Sequence, residues 1–349
     1  MQQHPAYQTN RQRYSIMKAT IASALALAAL AASSGAYACA ACGNTLSKDW
    51  ETQGISGNQG FVADLSYDYL NQNQQRYGTS AASPALINRQ LTATPVGQEI
   101  EAYTKTQTLT ASLIYNDDAW GVGVQLPYVQ RTHGTYGATA PLGSTYMVSS
   151  DNSIGDIRVT GRYTGLSEDR STGIIVGIKL PTGNTSAHFS DGVTPLDAGL
   201  QIGTGSTDLI LGGYTTGAIE HYGWFLQGTA QHAVATKKAL GNLDYRPGDT
   251  YALNAGIRYA GFGAKVSPML QLNIIKRQAD TGIFTVPLDP LTGVPVSGGT
   301  LAYLAPGVSV RLGGGTSVYG FVQLPIYQNV NSLQITPKYT ATLGMRQSF

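Results

Sequence analysis

The chain has 349 residues, 42 of them glycine and 21 tyrosine, with 12% charged residues and a net charge of +2. That charged fraction is about half the globular norm, and the lysines and arginines are scattered without the basic cluster a nucleic-acid surface requires, which excludes nucleic acid as a partner. Beyond the N-terminus no apolar run reaches the ~18–20 residues of a spanning helix, so low charge with abundant Gly and Tyr leaves two all-β classes: a membrane barrel or a secreted adhesin.

The N-terminus reads as a targeting segment. Met17-Lys18 begins a basic region, residues 21–32 are apolar, and Ala36-Tyr37-Ala38 is an A-x-A cleavage site. The expected signal peptide is 1–38, with the true start at Met17 and a mature chain beginning at Cys39 in an oxidising compartment. Residues 39–56 are then a short periplasmic segment outside the barrel. It carries Cys39-Ala-Ala-Cys42. Haem attachment needs His where Gly43 stands, a thioredoxin-like site needs a βαβ setting, and zinc needs two further ligands, whereas the five histidines are dispersed. A Cys39–Cys42 disulfide, a metal or redox contact at Cys39 and Cys42, and lipidation of Cys39 remain open.

From Gly57 to Phe349 apolar and polar residues alternate, which predicts strands. Phe61, Ala63, Leu65, Tyr67 and Tyr69 form the first apolar face; Leu109, Ala111, Leu113 and Tyr115 the second; Trp120, Val122, Val124, Leu126 and Tyr128 the third. Ile157, Val159 and Tyr163 mark a fourth, residues 174–180 a fifth, Leu209 and Leu211 a sixth, residues 224–230 a seventh. Tyr251 to Tyr259 and Val266 to Ile274 alternate cleanly, whereas residues 301–312 alternate poorly. Val318, Val322, Leu324 and Ile326 precede a last strand ending at Phe349, whose terminal aromatic resembles the insertion signal read by outer-membrane assembly machinery. Short links near 116–118, 164–171, 217–222, 260–263 and 313–316 alternate with long ones near 71–103, 131–152, 182–204, 235–249 and 277–299. Segregated loop lengths, with both termini on one side, predict a transmembrane antiparallel up-and-down β-barrel of about twelve strands. Tyr and Trp near strand ends fit aromatic girdles in outer-membrane lipid.

The expected lumen face carries Asp64, Asp68, Asp156, Arg158, Arg162, Lys179, Asp208, Arg258, Lys338 and Arg346. Of these Asp156, Arg158, Arg162, Lys179, Asp208 and Arg258 are the candidate selectivity residues, since charged rings set what a pore passes. Inward Gly121, Gly123, Gly177, Gly212 and Gly256 suggest an open lumen. Catalysis is not expected. His188 lies in a long loop before Asp191, no Gly-x-Ser-x-Gly elbow occurs, and Gly203-Thr-Gly-Ser-Thr-Asp208 lacks the phosphate-loop pattern.

Lys179-Leu-Pro-Thr-Gly-Asn184, followed by the segment from Leu196 through Gly203-Thr-Gly-Ser-Thr-Asp208 to Tyr214, resembles the outer-membrane barrel family labelled "putative MetA-pathway of phenol degradation". The resemblance implies a channel or transporter for aromatic or other small organic solutes, with no catalytic residues and no cofactor. The N-terminal cysteine pair has no place in that pattern. Two further functions stand beside the channel: a structural or assembly barrel whose Cys39–Cys42 segment contacts a periplasmic metal, redox or protein partner, and an outer-membrane hydrolase.

Overall fold

The computed structural model describes residues 46, 48, 59–93, 98–137, 146–236, 244–263, 265–282 and 287–349; the expected signal peptide, Cys39 and Cys42 lie outside them. Period-two hydropathy becomes strand throughout: β1 (Gly60–Gly78), β2 (Ser80–Ala81), β3 (Ile100–Asn116), β4 (Trp120–Tyr136), β5 (Tyr146–Ile154), β6 (Arg158–Tyr163), β7 (Thr172–Lys179), β8 (Ser206–Ile219), β9 (Tyr222–Thr236), β10 (Thr250–Tyr259), β11 (Val266–Arg277), β12 (Gly299–Gly313) and β13 (Thr316–Ser348). Among the described residues one helix, α1 (Pro84–Leu91), sits in the link after β2, capped by the Ser83 side chain accepting from the Leu86 amide, with proline in its first turn.

Strands pair antiparallel in the order β1-β3-β4-β6 and then consecutively to β13, and β1 pairs with β13 to close the ring, with β2 and β5 on the edges of β1 and β4. β13 spans 33 residues, and a straight strand of that length would reach about 110 Å. Instead it doubles back at Asn331-Ser332, where Ser332 takes a left-handed φ of 58°. Its first arm pairs with β12 and its second with β1, while Gln323 Nε2 donates to Thr340 Oγ1 between the arms at 2.8 Å. β1, β3, β4, β6 to β12 and the two arms of β13 therefore give twelve staves among the described residues. β5 runs beyond β6 along the same edge of β4.

Short turns collect at one end, at 117–119, 164–171, 220–221, 260–265 and 314–315, and the long links collect at the other, as the sequence predicts. The tight tip of β13 is the exception at the long-loop end. Outward faces carry the exposed apolar residues, among them Val124, Val176, Leu211, Leu253 and Val322. Outward aromatics recur eight residues apart in three strands: Phe61 and Tyr69, Trp120 and Tyr128, Tyr251 and Tyr259. Eight residues span about 26 Å of strand, or about 20 Å along the axis at a tilt of about 40°, close to the apolar belt height of an outer-membrane barrel. Neighbouring rings touch around the short-turn rim, Tyr115 with Trp120 at 5.5 Å and Tyr222 with Tyr259 at 5.1 Å.

Three local features depart from simple alternation. Pairing slips between Leu70 and Gln72, opposite Thr340 and Pro337. A slip of this kind reverses which face a side chain takes, so Leu333 and Ile335 are buried and Lys338, expected in the lumen, is exposed. Strand β12 buries Leu301, Tyr303 and Ala305 on its inner face; it alternates poorly because both its faces are apolar. Finally, the inward glycines do not leave open space. A β-carbon on Gly121 would meet the Arg162 guanidinium at 2.9 Å, one on Gly256 the Phe225 ring at 2.3 Å, and one on Gly177 or Gly212 a threonine methyl at 2.9 Å. On Gly123 it would press on Ile114 at 3.2 Å. These glycines let large side chains lie flat on the wall.

Candidate functional site

The barrel interior is the candidate site, and its charges fall into separate groups. Near the long-loop end, Lys179 Nζ lies 2.8 Å from Asp208 Oδ2 and 3.5 Å from Asp156 Oδ2. Lys179 also donates to Thr204 Oγ1 and to Ser206 Oγ. Ser206 Oγ donates to Asp208 Oδ1 at 2.6 Å, and Gln231 Nε2 to Asp208 Oδ2 at 2.5 Å. Asp156 accepts the Gly183 amide at 3.0 Å and both the amide and hydroxyl of Thr204. Gly183 and Gly203 stack backbone to backbone, where a β-carbon on Gly183 would fall 2.5 Å from the Gly203 Cα. The motif 179–184 and 203–208 is thus the neck of the 180–205 loop, cinched by a buried lysine between two carboxylates. Arg158, opposite Lys179 in the ladder, lies in the field of both carboxylates and stays solvent-exposed.

The other two sequence-chosen residues lie elsewhere. Arg162 crosses Gly121 to donate to Asn116 Oδ1 at 2.5 Å, toward the short-turn end. Arg258 lies over Gly223 in the field of Arg311, also near short turns. Four of the six residues converge, and the six do not form one ring.

Two long links fold onto the wall. Ala187, Phe189, Leu196 and Leu200 pack with Met147, and Arg131 on the inner face of β4 donates to the carbonyls of Leu200 and Gln201 at 2.8 and 3.0 Å. Phe189 also stacks near His133, with ring centroids 6.2 Å apart. In the second link Asp289 joins four segments, accepting from Ser332 Oγ at 2.6 Å, Gln90 Nε2 at 3.0 Å, Tyr77 OH at 3.3 Å and the Leu291 amide at 2.8 Å. Burial opposes ionisation of Asp289, but the bonds from Ser332, Leu291, Gln90 and Thr292 outweigh it and hold its pKa below the usual carboxylate value. A depressed folded pKa gives stability that is complete above the unfolded value of about 4 and is lost as pH falls through the folded one. At about pH 4.5 pepsin is therefore expected to spare the wild-type loop around Leu288 and Leu291 and to cut Asp289→Ala, and the difference is expected to shrink as the pH is lowered further.

Buried His133 has its Nδ1 2.9 Å from Thr104 Oγ1 and its Nε2 4.0 Å from Glu99 Oε1. His188 is exposed in its loop. His232 Nδ1 lies 2.7 Å from Asp249, but Arg246 donates to its Nε2 at 2.7 Å, occupying the atom a general base would use. No group of three metal-ligating side chains occurs among the described residues.

Leu46 and Lys48, from the segment preceding β1, reach the interior. Leu46 packs with Met269, Ala305, Tyr319 and Phe321, all on inner faces. Lys48 Nζ meets Asp68 Oδ2 at 2.7 Å and Ser66 Oγ at 3.0 Å. Beside it a cavity of about 110 Å³ is lined by Lys48, Asp64, Ser66, Ser112, Arg162 and Arg346 among others. Sequence reading named none of these apolar contacts; the poor alternation of 301–312 was the signal for them.

Among solved structures this fold is similar to the crystal structure of the COG4313 outer membrane channel from Pseudomonas putida F1, with a TM-score of 0.58 and 13% identity over 84% of this chain and 97% of that one. The chain has the fold of an outer-membrane β-barrel. Looser matches include the Ralstonia pickettii toluene transporter TbuX, with a TM-score of 0.43 and 13% identity over 84% of this chain and 90% of that one. The β domain of the Bordetella autotransporter BrkA also scores 0.43, at 12% identity over 84% of this chain and 100% of that one. No family model matches the chain and no curated protein matches it, so the family resemblance rests on the 179–184 and 196–214 motifs.

Proposed function

We propose that this chain is exported through its signal peptide to the Gram-negative outer membrane and forms a channel for small solutes, small organic or aromatic compounds among them. The observation that carries this reading is a closed barrel with an apolar outer belt around an interior that holds a charged, hydroxyl-lined cavity. The inner wall has two chemistries. Arg158 and Arg162 supply charge along the polar side, whereas Ile175, Ile210, Phe225 and Met269 give the wall buried apolar patches. The loop-neck motif supports the same solute class through the family it resembles. Selectivity falls to Arg158, Arg162 and Arg258, while Lys179, Asp156 and Asp208 hold the loop neck in place. No cofactor enters this function.

Planar-bilayer recording of the purified, heat-modifiable barrel tests the proposal. Discrete conductance steps are expected, with uptake of toluene or phenol into proteoliposomes faster than into protein-free vesicles. A folded barrel that gives neither steps nor uptake would overturn the channel reading.

A further inference from the structure

We propose that Arg76, Lys338 and Tyr327 form a binding site for a phosphorylated glycolipid of the outer leaflet, on the outside of the barrel at its long-loop rim. The inference rests on the outer-membrane placement proposed above and is independent of conduction. It begins from irregular pairing concentrated in one place. One extra residue enters the ladder three times in adjacent staves: in β13 between Pro337 and Thr340, in β1 between Gln72 and Gln74, and in β13 between Pro325 and Tyr327. Gln328 Nε2 donates to the Pro337 carbonyl at 3.1 Å, which sets the irregularities of the two β13 arms side by side.

A bulge re-aims side chains, and here each turns them outward. Lys338 and Tyr339 are both exposed, as are Ile326 and Tyr327. In β1, Gln75 Nε2 donates to the Glu101 carbonyl at 3.0 Å and Tyr77 OH to buried Asp289 at 3.3 Å. The intervening Gln74 and Arg76 therefore take the opposite side of the strand. All of these meet in a groove of about 530 Å³, whose lining includes Gln74, Arg76, Leu324, Ile326, Tyr327 and Lys338.

The groove has two chemistries. Leu324 and Ile326 continue the outward apolar row of Val322, so its lower end opens into the lipid belt. Its upper end holds two cations, and none of its lining residues is acidic. Arg76 Nη1 donates to the Thr79 carbonyl at 2.8 Å, which fixes the guanidinium there. Lys48, Lys179, Arg170 and Arg277 each have a carboxylate partner; Arg76 and Lys338 have none among the described residues.

These features name the occupant. Two uncompensated cations call for an anion, and guanidinium and ammonium groups both recognise phosphate. The apolar lower half calls for acyl chains on the same molecule. Tyr327 places the groove at headgroup height, where an amphipathic ring has its apolar body in lipid and its hydroxyl in the polar layer. Long loops of such a barrel face the cell exterior, and the outer leaflet on that side of a Gram-negative cell is phosphorylated glycolipid. Soluble phosphate has nothing to place against Leu324 and Ile326.

The test uses the full-length barrel in phosphatidylethanolamine vesicles, each variant checked for the heat-modifiable folded form. It is titrated with lipid A, with dephosphorylated lipid A and with inorganic phosphate. Lipid A is expected to raise the melting midpoint, and the other two to leave it unchanged. Arg76→Gln/Lys338→Gln is expected to weaken lipid A binding by about tenfold or more. Arg76→Lys/Lys338→Arg keeps both charges and should retain most of the binding. Lys265→Gln removes an exposed cation at the short-turn rim and should bind as wild type does. A double glutamine variant that binds like wild type, an equal loss in Lys265→Gln, or an equal midpoint shift from dephosphorylated lipid A or inorganic phosphate would overturn this inference. A barrel that inserts but ignores lipid A also overturns it and leaves the channel reading standing. A chain that enters no vesicle removes the outer-membrane placement, and this inference with it.

Discussion

Replacing Lys179 by methionine is expected to destabilise the folded barrel by about 3–5 kcal/mol, the usual cost of removing one partner from a buried ion pair. Lys179 is 2% exposed and stands between two carboxylates, Asp208 at 2.8 Å and Asp156 at 3.5 Å. Methionine matches its length but removes the cation between the two acids, leaving them only the field of Arg158. Asp208 keeps its bonds from Ser206 and Gln231, and Asp156 keeps those from Gly183 and Thr204, which places the loss toward the lower end of that range. The double variant Lys179→Met/Asp208→Leu tests the mechanism. Replacing a buried pair by apolar residues is often neutral, so the second change should recover most of the first. Urea titration in lipid vesicles, followed by the fluorescence of Trp120 and Trp224, reads both. An unchanged midpoint for Lys179→Met would mean that the neck is hydrated and the pair only decorative. The same variant should expose the 180–205 loop to protease, because this cluster joins both ends of that loop.

Leu211→Arg is expected to cost about 2–4 kcal/mol, the penalty for a cation at the bilayer midplane on the lipid face of a barrel. Leu211 sits mid-strand on the outside of β8, is 49% exposed and faces Val176 across the ladder. In a water-soluble sandwich the same exposed position would tolerate arginine within about 0.5 kcal/mol. Depth supplies the control. Leu312 lies beside the Gly314-Gly315 turn at the short-turn rim, and Leu312→Arg there should cost no more than about 1 kcal/mol. Equal effects at both positions would remove the membrane from the account of this fold.

The interior corrects the first impression that the inward charges and glycines give. Charges from distant strands were grouped in the sequence only by parity, a local property. The ladder then sorts them by height, bringing Asp156, Arg158, Lys179 and Asp208 together across β6, β7 and β8 and leaving Arg162 and Arg258 near the short turns. The glycines read as space because a sequence shows which side chain is missing, not what moves in above it. Phe225 over Gly256 and Arg162 over Gly121 come from adjacent strands whose register fixes the overlap.

What the sequence determined by itself is the strand class, the twelve-fold repeat of outward apolar faces, and the alternation of short and long links. Each is written in residues close along the chain, where a side-chain period of two and local turn chemistry act directly. Only the tertiary structure decided that Lys338 leaves the lumen and that Leu46 and Lys48 enter it. Those outcomes depend on a one-residue slip in pairing and on contacts between Leu46 and wall residues more than two hundred positions away, and closure of the ring is what brings such groups within reach.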